Sequence, residues 1–470
     1  MKVLSNSSSG RCRSVGELLP ARSAHFSAPV VEISADAMVE WAGPARPVPH
    51  WRKFVPAYDV LICGAGIGGL TLARALGRQQ RRVLVVEKHR TARDVYRGEL
   101  LQPRSLEILG AVGALPAVLE RGALRVPRLV CRGPGGAEIG ALDYGTLAQP
   151  FDHCLVHYYR DIKASLADDL GPTVDVRRGA RADGLRRGRS GRFVGARIDT
   201  DGRHVDVDAR LVVACDGYGS RLRAAAGIAV TMSRYDHQLA AFDLPDAPLV
   251  GPDVAAYLTR QGLRLLFAMP GRRARLYAQV RRGEFRGTGR AGLAGWAERL
   301  LGSAPALAPL AASLAASLDD AQVLSAWRFN APVWTRPGFA LLGDAAHCVH
   351  PMAGQGMNAA IADAWTLAEQ LAEPAALTPD AVDAALRRYE ELRRPQLDYI
   401  SRLSHNLAGL FTATSWSSRT IGQYVLRRNR SNRRLQHLLA YNMSGLGVRR
   451  FTTLDRLCQF GLPDPRRSAW

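Results

Sequence analysis

The sequence predicts an α/β fold, and three stretches predict it. Residues 58–88, 210–223 and 337–364 each hold an apolar strand that ends in a turn built on glycine or aspartate. A buried strand with such a turn at its carboxyl end is the repeating unit of open parallel sheets, and ligands bind outside those ends.

The first stretch reads YDVLICGAGIGGLTLARALGRQQRRVLVVEK. Tyr58–Cys63 is long enough and apolar enough for a buried strand. Gly64, Gly66 and Gly69 follow at G-x-G-x-x-G spacing, then a helical pattern with Leu70, Ala73 and Leu76. A second apolar run, Val83–Val86, ends on Glu87, 18 positions after Gly69. Gly64 allows a tight exit from the strand, Gly66 a close backbone approach to a pyrophosphate, and Gly69 close helix–strand packing. The helix start offers free N–H groups and the positive end of its dipole to phosphate, and Glu87 can accept from ribose hydroxyls. The motif alone does not separate FAD from NAD(P).

The totals fit a large globular chain. Its 470 residues suggest one to three domains, with 47% hydrophobic and 22% charged residues. The formal net charge of +21 admits nucleic acid, an anionic membrane or an acidic protein as partner, or arginines spread over solvated faces. The chain carries no compact basic motif of a known docking type, so no nucleic-acid partner is expected. Seven scattered cysteines without a C-x-x-C pair argue against a disulfide framework and a zinc site and fit a reducing cytoplasm. No uncharged apolar run is long and continuous enough to span a bilayer.

Residues 1–57 contain four serines in the first nine positions and four prolines between Gly43 and Pro56, and read as a flexible N-terminal extension. Arg97 lies in the loop after the second strand, where a cation could reach a phosphate. Ser105–Leu109 opens a helical segment. Residues 126–139 read as a strand pair about a turn at 133–136. Residues 153–170 read as a strand end running into an amphipathic helix that carries Arg160, Ile162, Leu166 and Leu170. Residues 174–210 alternate polar and apolar residues and read as antiparallel strands.

Residues 210–223, RLVVACDGYGSRLR, put Asp216–Gly217 at the end of a strand, where a ligand crevice is expected. Residues 263–269 and 274–280 flank Pro270–Arg273 as a hairpin, a plausible pocket wall; residues 283–316 are mostly helical. Tyr235, His237, Tyr257 and Tyr277 could face a substrate, though none is assigned as acid or base. The third stretch, PGFALLGDAAHCVHPMAGQGMNAAIADA, ends its strand on Gly343–Asp344. Asp344 can hydrogen-bond a polyol such as a ribityl chain. Pro351 and Gly354–Gly356 make a tight loop from which a helix starts, and its positive end suits a reduced, anionic flavin. His347 and His350 have no acid or cysteine cluster at ligand spacing, so no metal is expected.

Together the motifs resemble the FAD-dependent single-component aromatic monooxygenases, the para-hydroxybenzoate hydroxylase-like family. G-x-G-x-x-G at Gly64–Gly69, D-G at Asp216–Gly217 and G-D at Gly343–Asp344 occur in that order across roughly residues 58–400. The resemblance implies that Gly64, Gly66, Gly69 and Glu87 hold the ADP half of FAD, with Arg97 and Arg160 near the pyrophosphate. Asp216 would serve FAD and a transient NAD(P)H. Gly343 and Asp344 would meet the ribityl or pyrophosphate region. Pro351, Gly354, Gly356, Met357 and Asn358 would line the isoalloxazine ring. GELLQP at 98–103 is similar to squalene epoxidases and places Gln102 near the flavin, whereas HPMAGQGMN at 350–358 is similar to ubiquinone-biosynthesis hydroxylases. The implied fold is a Rossmann-like FAD-binding domain with an inserted α+β substrate domain over a mixed sheet and a helical C-terminal region. The implied boundaries are 58–400 for the first (about 58–125, 150–228 and 330–400), about 126–149 and 229–329 for the insert, and 401–470 for the last. The implied reaction uses NAD(P)H and O2 to hydroxylate or epoxidise an aromatic, quinone-like or lipophilic polycyclic or alkene substrate through a flavin C4a-hydroperoxide. The alternative is an FAD-dependent reductase or dehydrogenase on the same fold.

Residues 419–450 hold eight arginines and no acid, and Ile421–Tyr441 can be drawn as one basic amphipathic helix. Two readings stand: peripheral contact with an anionic membrane, suited to a lipophilic substrate, and a pair of helices capping the substrate domain with their arginines in water. The second is favoured.

Overall fold

The structure is a computed structural model that describes residues 58–91, 95–247, 250–373 and 375–466. The expected extension at 1–57 lies outside the described residues.

The first sheet runs, strand beside strand, Thr335–Arg336, Phe339–Leu341, Arg203–Ala214, Tyr58–Cys63, Val83–Glu87 and Val174–Arg178. From Phe339–Leu341 to Val174–Arg178 the pairs are parallel. Tyr58–Cys63, Val83–Glu87, Phe339–Leu341 and the end of Arg203–Ala214 are apolar and buried, as strands covered on both faces are. The helix Ile67–Arg78 fills one face and is buried along nearly its whole length. Val174–Arg178 was read with the antiparallel set but lies parallel to Val83–Glu87. It ends the row of parallel strands and has no buried residue, so its V-D-V-R-R sequence lacks the apolar run of a covered parallel strand. The antiparallel set starts after it, with Ala180–Arg187 pairing onto Phe193–Thr200 and Phe193–Thr200 onto the first half of Arg203–Ala214.

The second sheet runs His347–Cys348, Gln322–Asn330, Ser233–Leu244, Arg273–Arg281, Gly262–Met269, Val254–Thr259, Arg128–Arg132 and Glu138–Asp143. The period-two rule of a strand divides its faces. Ala240, Phe242, Leu276, Ala278 and Leu266 pack on Trp296, Leu300, Leu307 and Leu314 of the helical run 290–316. Their neighbours Leu239, Ala241, Tyr277 and Phe267 point the other way, into a cluster with Ala353, Ala440 and Met443.

The helix expected over 153–170 spans Tyr159–Ala167, so Leu170 lies past its end. The single helix drawn over Ile421–Tyr441 is two, Trp416–Asn429 and Arg433–Ser444. The break falls where the Asn432 side chain accepts from Leu435 N–H and caps the second helix. Ahead of them Pro379–Phe411 is one helix of 33 residues that runs through position 400. Among the described residues no helix is long and apolar enough to cross a membrane.

Candidate active site

The three turns meet because their strands are neighbours in register. Cys63 lies opposite Ala214, and Ala214 opposite Leu341. The chain therefore leaves the sheet at Gly64, Cys215 and Leu342 side by side. The glycines pack the turns together. Gly64 has φ +120°, and a Cβ on it would stand 2.3 Å from Cys215 O. A Cβ on Gly69 would stand 2.1 Å from Gly64 O. A Cβ on Gly66 would meet only Tyr159 Oη at 3.7 Å, which leaves the start of the helix open to a ligand. Gly66 offers no side-chain cap there.

The polar residues around this opening arrange as follows. Glu87 Oε2 accepts from Ala65 N–H at 3.0 Å and Oε1 from His89 N–H at 2.9 Å, so the acid of the second strand braces the first turn. Asp216 Oδ2 accepts from Arg221 N–H at 3.0 Å, while Oδ1 is buried with no hydrogen-bond partner among the described residues. Such an orphan acceptor is costly unless a ligand or water supplies a donor. Burial pushes the Asp344 carboxyl above its ordinary range, and Arg97 opposes that shift. Arg97 and Asp344 also act on the Tyr159 hydroxyl, which burial raises. Tyr159 thus joins the site although the sequence reading passed over it. The expected Arg160 follows it in the chain, its guanidinium over the Tyr158 ring, 4.6 Å from the centroid, and 3.7 Å from Asp161.

The Pro351–Asn358 turn closes against the loop at Gly98–Gln102. Gly98, at φ +65°, would bring a Cβ to 3.1 Å from the Tyr159 ring and 3.4 Å from Met357 Sδ. Asn358 Nδ2 donates to Leu100 O at 2.9 Å and to Gly354 O at 2.6 Å, and its Oδ1 accepts from Gln102 N–H at 2.8 Å. Asn358 is a clamp between the two loops, with both amide hydrogens engaged. Gln102 meets the turn through its backbone. Its carboxamide oxygen accepts from Tyr144 Oη at 2.6 Å and Cys154 Sγ at 3.3 Å, and Nε2 is buried without a hydrogen-bond partner among the described residues. Gly354 has φ +59° and Gly356 opens the helix Gly356–Ala372.

Two buried ion clusters hold these loops, and the sequence reading missed both. Asp363 Oδ2 accepts from His347 Nε2 at 2.7 Å and from Gly343 N–H at 3.2 Å, and Oδ1 accepts from Arg393 Nε at 2.9 Å. Burial alone would raise the Asp363 carboxyl, but His347 and Arg393 outweigh it and hold it below the usual range. The signal was present as one acid inside the apolar run AAIADAW. The second cluster joins the Gly98–Gln102 loop to the second sheet. Arg275 Nη2 lies 2.8 Å from Glu99 Oε1, Tyr277 Oη donates to Glu99 Oε2 at 2.7 Å, and Arg275 stacks on Tyr96 at 3.8 Å.

Across from the turns lies the apolar sheet face, with Leu239, Ala241, Leu265, Phe267 and Leu324. Leu403 and Leu407 of the long helix and Met443 cover it. A surface cleft of about 600 Å³ bounded by Arg234, Gln238, Arg282 and Phe285 shares none of these residues.

The opening fits a dinucleotide with a polyol arm. It has a helix start without an N-cap side chain, a carboxylate at the second strand, an orphan aspartate oxygen and a half-buried aspartate in the field of an arginine. The comparisons give the same class. A family model described as FAD binding domain matches residues 57–403, and the chain belongs to that family. The 6-methylpretetramide 4-monooxygenase of Streptomyces rimosus is 28% identical over 410 residues, 83% of this chain and 94% of that protein. The ubiquinone hydroxylase UbiL of Rhodospirillum rubrum is 28% identical over 401 residues, 75% of this chain and 82% of that protein. The crystal structure of Pseudomonas aeruginosa PqsL in complex with 2-aminobenzoylacetate matches with a TM-score of 0.67 at 26% identity, covering 81% of this chain and 99% of that one. The chain is an FAD-dependent monooxygenase. The reductase or dehydrogenase alternative gives way to that reading.

Proposed function

We propose that the chain uses NAD(P)H and O2 to hydroxylate or epoxidise a lipophilic aromatic, quinone-like or polycyclic substrate. The observation that carries this reading is the meeting of the three turns at the ends of adjacent parallel strands, opposite an apolar sheet face. FAD, when bound, supplies the redox chemistry, taking hydride from the nicotinamide and activating O2. The protein supplies position, electrostatics and exclusion of water.

In this reading the helix start after Gly66 and the Arg97 guanidinium hold the pyrophosphate, and Glu87 holds the adenosine ribose. Asp344 accepts from the polyol arm, and Asp216 Oδ1 finds its missing donor on the bound cofactor or NAD(P)H. Gly343, Pro351, Gly354, Gly356 and Met357 shape the wall of the ring, with Asn358 fixing that wall to Leu100 and Gln102. Arg160, next to Tyr159 at the start of the same helix, adds positive charge near the pyrophosphate. Leu239, Ala241, Phe267 and Leu324 select a lipophilic body and keep water from the reacting carbon.

The domain division follows the two sheets, with the insert carrying the substrate wall. Peripheral contact with an anionic membrane is supported by exposed Trp416, Ile421 and Tyr424 on the helix Trp416–Asn429 and Phe460 and Leu462 after the helix Thr453–Gln459. Tyr424 Oη donates to Phe460 O at 3.1 Å, which sets these apolar groups side by side among Arg427 and Arg428.

The test is an absorbance spectrum of the purified protein, then NADH and NADPH oxidation with lipophilic phenols, quinones and alkenes under ¹⁸O2. Flavin bands, substrate-stimulated oxidation and one labelled oxygen per product are expected. Stoichiometric oxidation with no label in any product would sink the oxygenation; no flavin taken up on adding FAD would sink the cofactor assignment.

A further inference from the structure

Two histidines make a bond that the reading above does not use. His350 immediately precedes the Pro351–Asn358 turn and is 1% exposed. His237 lies on the strand Ser233–Leu244, on the face that carries Leu239 and Ala241. Their Nε2 atoms are 2.9 Å apart. His350 Nδ1 accepts from Met352 N–H at 3.1 Å and so caps the short 3₁₀ turn Pro351–Ala353.

These two bonds fix where the protons are. A backbone N–H can only donate, so His350 Nδ1 carries a lone pair and the neutral ring holds its proton on Nε2. His350 then donates to His237 Nε2, and neutral His237 holds its proton on Nδ1. A third proton on the pair has no place to go without cost. On His237 Nε2 it would face the N–H of His350. Moving the His350 proton to Nδ1 relieves that clash but breaks the bond from Met352. Either way one of the two bonds that hold the turn is lost.

We propose that His237 is a positioning residue, and that the His237–His350 pair is a proton-sensitive latch fastening the flavin-facing turn to the substrate-side sheet. The latch rests on the cofactor reading above for its consequence, though not for its geometry. Burial lowers the affinity of both rings for a proton, with His350 taken down to about 3 and His237 shifted in the same direction. The surrounding groups do not replace the bond. Tyr235 presents its ring edge to His350 at 4.5 Å and spends its hydroxyl on His405 Nδ1 at 2.9 Å. His405 itself is exposed on the long helix, and its charge opposes a proton on His350. Asp236 beside His237 favours a proton there, so His237 is the ring that takes the third proton first, and Arg328 of the next strand acts on Tyr235.

The experiment has two arms. The first needs no cofactor: long-range ¹⁵N–¹H spectra of histidine-labelled full-length protein at neutral pH, with H237Q and H350N for assignment. His350 is expected as the Nε2–H form and His237 as the Nδ1–H form. The reverse pair of tautomers, or a charged ring in either, overturns the latch whether or not FAD binds. The second arm measures FAD affinity by flavin fluorescence from pH 5 to 8 in the parent, H237F and H237Q. H237F removes the acceptor and is expected to weaken FAD binding about tenfold near neutral pH, the scale of one lost hydrogen bond. In H237Q the amide oxygen accepts from His350 and does not titrate, so it is expected to rescue most of that loss and to abolish the acid-side fall seen in the parent. FAD binding with the same pH profile in parent and H237Q overturns the latch and spares the cofactor reading. No FAD binding in any form overturns the cofactor reading, and the tautomers then decide the latch alone.

Discussion

At the scale of single residues, the site depends on groups with no room or no alternative partner. A Cβ at position 69 would stand 2.1 Å from Gly64 O, a backbone atom that cannot step aside. Gly69→Ala is expected to cost about 1–3 kcal/mol, as overpacking does, and to abolish FAD retention through gel filtration. Thermal melting with and without FAD checks both. Asp363 meets His347, Arg393 and Gly343 N–H in full burial. Asp363→Ala leaves the Arg393 charge buried without its acid, at about 3–5 kcal/mol. The paired change Asp363→Leu with Arg393→Met is expected to recover most of that loss. A chemical-denaturation cycle over the single and double variants measures the coupling. If the double variant is no more stable than the singles, the cluster does more than balance charge.

At the scale of elements, the long helix Pro379–Phe411 does two jobs. Its first half clamps the third turn through Tyr389 Oη on Leu341 O at 3.0 Å and Glu390 on Trp334 and Thr335. Its second half brings Leu403 and Leu407 over the apolar sheet face. The helices after it pack on that same side: His437 meets Thr146 O at 2.7 Å and Gln355 Nε2 donates to Met443 O at 2.9 Å. The capping contacts therefore lie on Arg433–Ser444, and the exposed apolar groups of the membrane reading on Trp416–Asn429 and after Thr453–Gln459. Trp416 is 79% exposed and Phe460 58%. Replacing both with serine is expected to reduce binding to phosphatidylglycerol vesicles severalfold. Stability should stay within about 0.5 kcal/mol, as for surface changes. Equal sedimentation of parent and variant with anionic and with zwitterionic vesicles would remove the membrane proposal.

At the scale of the whole molecule, stability should fall in two steps on the acid side. His350 titrates at about 3 in the fold against an ordinary 6.5, and His237 is lowered too. A base with a depressed folded value takes up protons on unfolding, so stability rises with pH up to about 6.5 and is level above it. Asp363 and Asp455 are depressed acids, Asp455 to about 2 against an ordinary 3.8. Their stabilisation is present above about 4 and is lost as pH falls through the folded values. Denaturation midpoints from pH 3 to 8 are expected to climb throughout that lower range. A midpoint that is flat from pH 4 to 7 would contradict the histidine step.

The sequence by itself determined the cofactor half of the protein. Strand, glycine turn, helix and terminal acid are local in the chain, and local sterics of the kind seen at Gly64 and Gly69 leave few residues able to stand there. Only the tertiary structure decided which neighbours share the site. Tyr159 and Arg160 are adjacent in sequence, yet one faces the opening and the other Tyr158. Glu99 and Arg275, Asp363 and Arg393, and His237 and His350 are partners set by sheet register and helix packing, across gaps of 30 residues or more. A buried charge or imidazole takes its meaning from its partner, and the partner is chosen by the fold rather than by the residues on either side.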